Sequence, residues 1–133
     1  DVSLVKEDYI IDGKIDLVKG IDGTVEIVDF KSERKPDMVK MRERLEHYRR
    51  QLQIYAYLIE QRTGQKVSKM HLYYTGEENG NPVITYPYTR TAIEGTVAAF
   101  DDIVHKILRK DFKHRCDDAK TCKNCDFRYY CNK

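Results

Sequence analysis

The chain has 133 residues, with 24 basic and 22 acidic side chains and a net charge of +2. That length suits one hydrophobic core and argues against two independent domains. A near-neutral balance leaves no global electrostatic footprint for nucleic acid, no apolar run approaches the ~20 residues of a membrane-spanning helix, and no secretory signal precedes the first strand, so a soluble cytoplasmic protein is expected.

"DVSLVKEDYIIDGKIDLVKG" alternates and is rich in β-branched residues. It predicts two short strands with a turn near Lys6 to Asp8, and places Asp16 near the middle of the second. "GIDG" marks a hairpin turn into a third strand, "TVEIVDFK", with Val25, Ile27, Asp29 and Lys31 on one face. A carboxylate and an ammonium thus stand where apolar side chains belong. "SERKPD" is a polar loop, and from Met38 to about Thr63 the apolar residues recur at helical spacing as Leu45, Tyr48, Leu52, Tyr55 and Ile59. Arg42, Arg44, Arg49, Arg50 and Glu60 are expected on its wet side, and Gly64 as its stop. "KVSKMHLYYT" reads as a strand, "GEENGNP" as a turn, and "VITYPY" as an edge strand because Pro87 has no amide to donate. Thr91 to Arg109 forms a second helix with Ile93, Val97, Phe100, Val104 and Ile107 as its stripe. The expected fold class is α/β, with a mixed central sheet flanked by helices.

Three local patterns carry chemistry. Asp16 and Asp29 can converge on a hard divalent cation, which takes oxygen ligands and keeps several waters. Lys31 beside them supplies positive charge to a phosphate oxygen. Phosphodiester cleavage needs this combination of a metal that generates a nucleophile near neutral pH and a cation that holds the phosphate. On the long helix, "QLQIY" sets Gln51 and Tyr55 four apart on one face, with His47 one turn earlier. All four cysteines lie in the last eighteen residues, where Cys122, Cys125 and Cys131 have C-x2-C-x5-C spacing and Cys116 precedes them. Such clustering suits a 4Fe–4S iron–sulfur cluster or a tetrahedral Zn²⁺ better than a disulfide framework. Arg34, Lys35, Arg49, Arg50, Lys110, Lys113, His114 and Arg115 are basic side chains that could follow a phosphate backbone, and Tyr73, Tyr74, Tyr86 and Tyr88 could stack on bases. The stronger reading makes the charges solvated faces and the tyrosines core.

Taken in order, "GKID", "IVDFK" and "QLQIY" resemble the PD-(D/E)XK nuclease superfamily in its RecB-type branch, which includes nuclease domains of UvrD/Rep-type helicases and CRISPR-associated exonucleases. The resemblance covers nearly the whole chain. It implies a restriction-endonuclease-like core in residues 1–115, with a cysteine-rich metal staple in residues 116–133 packed on the same domain. By the same resemblance Asp16, Asp29 and the backbone carbonyl of Phe30 hold Mg²⁺ or Mn²⁺, Lys31 is the motif lysine, and Gln51 and Tyr55 arrange the metal site and bind DNA. Cys116, Cys122, Cys125 and Cys131 hold the iron–sulfur cluster, or zinc, since the branch's far-upstream cysteine is missing. The implied activity is a metal-dependent deoxyribonuclease on single strands or ends, working in DNA repair with a helicase domain in the same or a partner chain. Two features depart from the pattern. The chain starts after the branch's usual N-terminal helix and is expected to be a piece of something longer, with weak or no activity alone. Glu7 is a poor substitute for the acidic residue that helix carries. The alternative is a DNA-binding or scaffolding module that keeps the fold and does not cut.

Overall fold

The computed structural model describes residues 1–21, 23–111, 119–123, 125–126 and 128. The chain divides into two compact units, Asp1–Ala98 and Ala99–Lys133.

In the first unit, the alternating N-terminal run folds as β1 (Val2–Val5) and β2 (Ile10–Gly13), closed by a turn in which the Lys6 amide donates to the Tyr9 carbonyl at 2.8 Å. These strands pair with each other as a separate antiparallel ribbon. β3 (Leu17–Ile21) and β4 (Thr24–Lys31) form the hairpin expected at "GIDG", with Gly23 at φ 79°. That left-handed backbone is what short hairpin turns demand of glycine.

The long helix α1 (Arg42–Thr63) begins later than its apolar spacing suggests. Asp37 explains the difference: its carboxylate accepts the Val39 and Lys40 amides at 2.9 and 3.0 Å, holding a tight turn ahead of the helix. Those two amides, that of Lys40 foremost, hold the Asp37 carboxyl below its ordinary range. The helix ends as expected at Gly64, whose amide caps the Glu60 carbonyl at 3.0 Å. β5 (Val67–Tyr74), β6 (Val83–Pro87) and α2 (Arg90–Leu108) follow.

The sheet order is β3-β4-β5-β6, with β4 and β5 parallel and both outer pairings antiparallel. This is the expected mixed sheet, and β6 is its edge. Parallel neighbours need a crossover, and α1 supplies it. The helix buries Leu45, Leu52, Ala56 and Ile59 against Val25 and Ile27 of β4 and Met70, Leu72 and Tyr74 of β5. Ile93 and Val97 of α2 join this core, and Thr96 Oγ1 donates to the buried Gln53 Oε1 at 2.6 Å. Glu60 is not on the wet side: half-buried, it accepts the Val67 amide at 3.0 Å and the Tyr88 hydroxyl at 2.9 Å.

In the second unit, Phe100 and Ile107 of the expected stripe are 37% and 55% exposed. A short helix, α3 (Ala119–Lys123), carries Cys122. Cys116 and Cys131 lie outside the described residues, as do Lys113, His114 and Arg115. No helix among the described residues is long and apolar enough to cross a membrane.

Candidate active site

Strand alternation delivers the first two side chains. Val25, Ile27 and Asp29 are successive inward positions of β4, so the carboxylate enters the core face 5% exposed, and Lys31 follows at the strand's end. Lys31 Nζ lies 2.6 Å from Asp29 Oδ2. The ammonium pairs with this buried oxygen, which has no other partner among the described residues.

Asp16 is not in the middle of a strand. It sits in the bend before β3, and its Oδ2 accepts the Phe30 amide at 2.9 Å. The register Leu17↔Val28, carried one step on, still brings Asp16 opposite Asp29, as the sequence suggested. A carboxylate replaces the ladder partner that β3 no longer provides. Since the amide and carbonyl of one strand residue point to the same edge, the Phe30 carbonyl faces the edge occupied by Asp16. The Lys31 carbonyl faces the other edge and accepts the Thr75 amide at 3.0 Å.

The helix supplies the rest. Gln51 Oε1 lies 3.4 Å from Lys31 Nζ, and Gln51 Nε2 donates to the Tyr55 hydroxyl at 2.8 Å. Asp29, Lys31, Gln51 and Tyr55 are therefore linked in one chain of polar contacts. His47, expected on the same stripe, is exposed.

Four contributors were not foreseen. The Tyr48 ring centroid lies 4.0 Å from Lys31 Nζ, although helical spacing alone made Tyr48 a core residue. Arg44 and Glu33 hold the Tyr48 hydroxyl and pair with each other at 2.5 Å. Gly13 of the "GKID" stretch sits so close to α1 that a Cβ there would fall 2.8 Å from Leu58 Cδ1 and 3.2 Å from Tyr55 Cε1. Its close approach to the site tyrosine is the signal that the motif's glycine carried.

Beside Lys31 across the parallel register stands Tyr74, fully buried with no partner for its hydroxyl among the described residues. Burial pushes its hydroxyl up to about 12. Tyr86 and Tyr88 pack against the core, and burial raises both. Tyr73 is 37% exposed and meets Phe30 edge to face at 5.6 Å. Three of the four tyrosines considered for stacking are thus occupied in packing.

A hard cation fits the donor set. The buried Asp29 Oδ2 meets only the Lys31 ammonium among the described residues, and the Asp16 carboxylate and Phe30 carbonyl share the adjacent edge, all of them oxygens of the kind Mg²⁺ and Mn²⁺ prefer. Among the described residues no group of three His, Cys, Asp or Glu side chains converges, so water or substrate must complete the shell. In the second unit, the Cys125 amide donates to the Cys122 carbonyl at 3.3 Å.

A search of curated proteins finds no matching relative. A family model does match, over residues 2–132, and with the site it spans it settles the wider kinship: the chain belongs to the PD-(D/E)XK nuclease superfamily, whose members are generally nucleases.

Proposed function

We propose that the chain is a Mg²⁺- or Mn²⁺-dependent deoxyribonuclease of the RecB-type branch, acting in the cytoplasm on single strands or ends in DNA repair with a helicase domain in the same or a partner chain. The observation that carries the cutting activity is the buried Asp29 carboxylate paired with Lys31 next to the edge where Asp16 and the Phe30 carbonyl lie. A divalent ion held there supplies Lewis-acid chemistry and a nucleophile at neutral pH. Asp29 and Asp16 hold it. Lys31 places an ammonium at the scissile phosphate and balances the charge that develops on its oxygens. Gln51 orients that ammonium through Oε1, and Tyr55 fixes the Gln51 amide so that the oxygen faces Lys31. The branch assignment rests on "QLQIY" and the cysteine tail. In that tail Cys116, Cys122, Cys125 and Cys131 hold a 4Fe–4S cluster or Zn²⁺ as a structural staple, which iron and zinc analysis of the purified protein distinguishes.

One observation favours a second reading, a nuclease fold that binds DNA without cutting: no third acidic or histidine side chain joins Asp16 and Asp29 among the described residues. Cleavage of end-labelled single- and double-stranded DNA with either metal separates the two. Metal-dependent cleavage that falls about 10²-fold or more in both Asp29→Ala and Lys31→Ala supports the enzyme. DNA binding with no metal-dependent cleavage supports the module.

A further inference from the structure

We infer that Tyr48 is a positioning residue for Lys31, holding the ammonium over the cleft when Asp29 is engaged by a cation; the inference rests on the nuclease reading of this site. Lysine carries its charge on a flexible four-carbon stem with considerable rotamer freedom to lose. Left to Asp29 alone, the ammonium settles on the carboxylate, as the 2.6 Å contact shows. A divalent ion on Asp29 competes for that oxygen and repels the ammonium. Gln51 at 3.4 Å is a long, uncharged acceptor and restrains it weakly. The Tyr48 ring centroid lies 4.0 Å from the ammonium, and a π face attracts a cation without net charge. It holds the lysine without neutralising it, which a third carboxylate would do.

The ring is itself fixed. Its hydroxyl accepts Arg44 Nε–H at 2.9 Å and donates to Glu33 Oε1 at 3.4 Å, and Arg44 Nη2 meets Glu33 Oε2 at 2.5 Å. Glu33 lies two residues beyond Lys31, so this triangle ties the chain leaving β4 to the first turns of α1. Glu33 is anchored in turn, because its carbonyl accepts the Gly76 amide at 3.2 Å. The brace separates two roles within one side chain: the ring face serves Lys31, and the hydroxyl serves the ring.

Those roles predict different outcomes for Tyr48→Phe and Tyr48→Leu. In protein labelled with ¹³C at lysine Cε, ring current shifts the Lys31 ε-methylene signal upfield in the wild type and in Tyr48→Phe, and the shift is lost in Tyr48→Leu. With Mn²⁺ and end-labelled DNA, Tyr48→Leu lowers kcat about tenfold with KM within about twofold, and Tyr48→Phe restores most of the rate. An unchanged Lys31 signal in Tyr48→Leu overturns the inference, as does an unchanged kcat, or a Phe variant that keeps the shift yet loses as much rate as Leu. If the wild type never cleaves, the nuclease reading fails, and the resonance alone decides whether Tyr48 holds Lys31.

Discussion

Tyr74 offers a sharp test of how the core beside the site is built. Replacing it with phenylalanine removes a hydroxyl that is buried and has no partner among the described residues, and leaves the ring packed in the core. An unmade hydrogen bond at such a place costs about 1–3 kcal/mol, while the hydroxyl contributes little else. Tyr74→Phe should therefore be neutral or more stable by up to about 1.5 kcal/mol at neutral pH. A second signature depends on pH. Burial, with smaller contributions from Tyr86, Glu33 and Tyr48, raises the Tyr74 hydroxyl from 10.0 to about 12. The unfolded chain then loses its proton first, so the native state keeps this contribution in full below pH 10 and loses it as pH climbs towards 12. Linkage puts the loss at about 1.4 kcal/mol by about pH 11, and about twice that once both states are ionised. Tyr86 and Tyr88 are raised as well, but they are common to both proteins and cancel in the difference. Urea unfolding followed by circular dichroism at the two pH values measures both terms. A Phe variant destabilised by more than about 1 kcal/mol at neutral pH would show that the hydroxyl has a partner. A difference that does not change with pH would show that Tyr74 titrates normally.

Other perturbations read other parts of the architecture. Asp16 is exposed, so Asp16→Ala should cost under about 1 kcal/mol of stability, while calorimetric titration should find Mn²⁺ binding weakened by about tenfold or more. A Cβ on Gly76 would fall 2.8 Å from the Glu33 carbonyl carbon and 3.0 Å from the Arg34 amide nitrogen, both backbone atoms that cannot swing aside. Gly76→Ala should thus lower stability by about 1–3 kcal/mol in urea. Glu60→Ala leaves the Val67 amide and the Tyr88 hydroxyl without their acceptor and should cost about 1–3 kcal/mol, whereas Glu60→Gln, keeping an acceptor for one of them, should cost less; thermal unfolding compares the two.

Much of this was legible because the physics involved is local. Period-2 alternation located β4 and assigned Asp29 and Lys31 to one face, and helical spacing put Gln51 and Tyr55 on another. Misreadings arose where a partner distant in sequence decides the outcome. Glu60 looked solvated because nothing nearby explains a buried carboxylate, yet Tyr88, far along the chain, supplies a donor. Tyr48 does pack against the core as its apolar stripe suggests, but its contact with Lys31 was not legible, because only the fold brings that lysine across to it. Asp16 was assigned to a strand because its neighbours alternate, and the bend shows only when β3 stops short of β4.

That shortfall of β3 is what turns a strand into a site. Alternation that buries Ile27 also buries Asp29 two residues later, so the packing that stabilises β4 fixes the carboxylate's direction at no separate conformational cost. Had β3 extended two residues further as regular strand, to Ile15, the Phe30 amide and carbonyl would both have been consumed by the ladder. Instead the amide is satisfied by the Asp16 carboxylate, and the Phe30 carbonyl keeps the same edge beside it. The pattern is broken where the Asp16 carboxylate, the Phe30 carbonyl and the buried Asp29–Lys31 pair come together. An interrupted alternation at a strand's end, rather than the short motif alone, is therefore the feature that separates this site from an exposed ion pair.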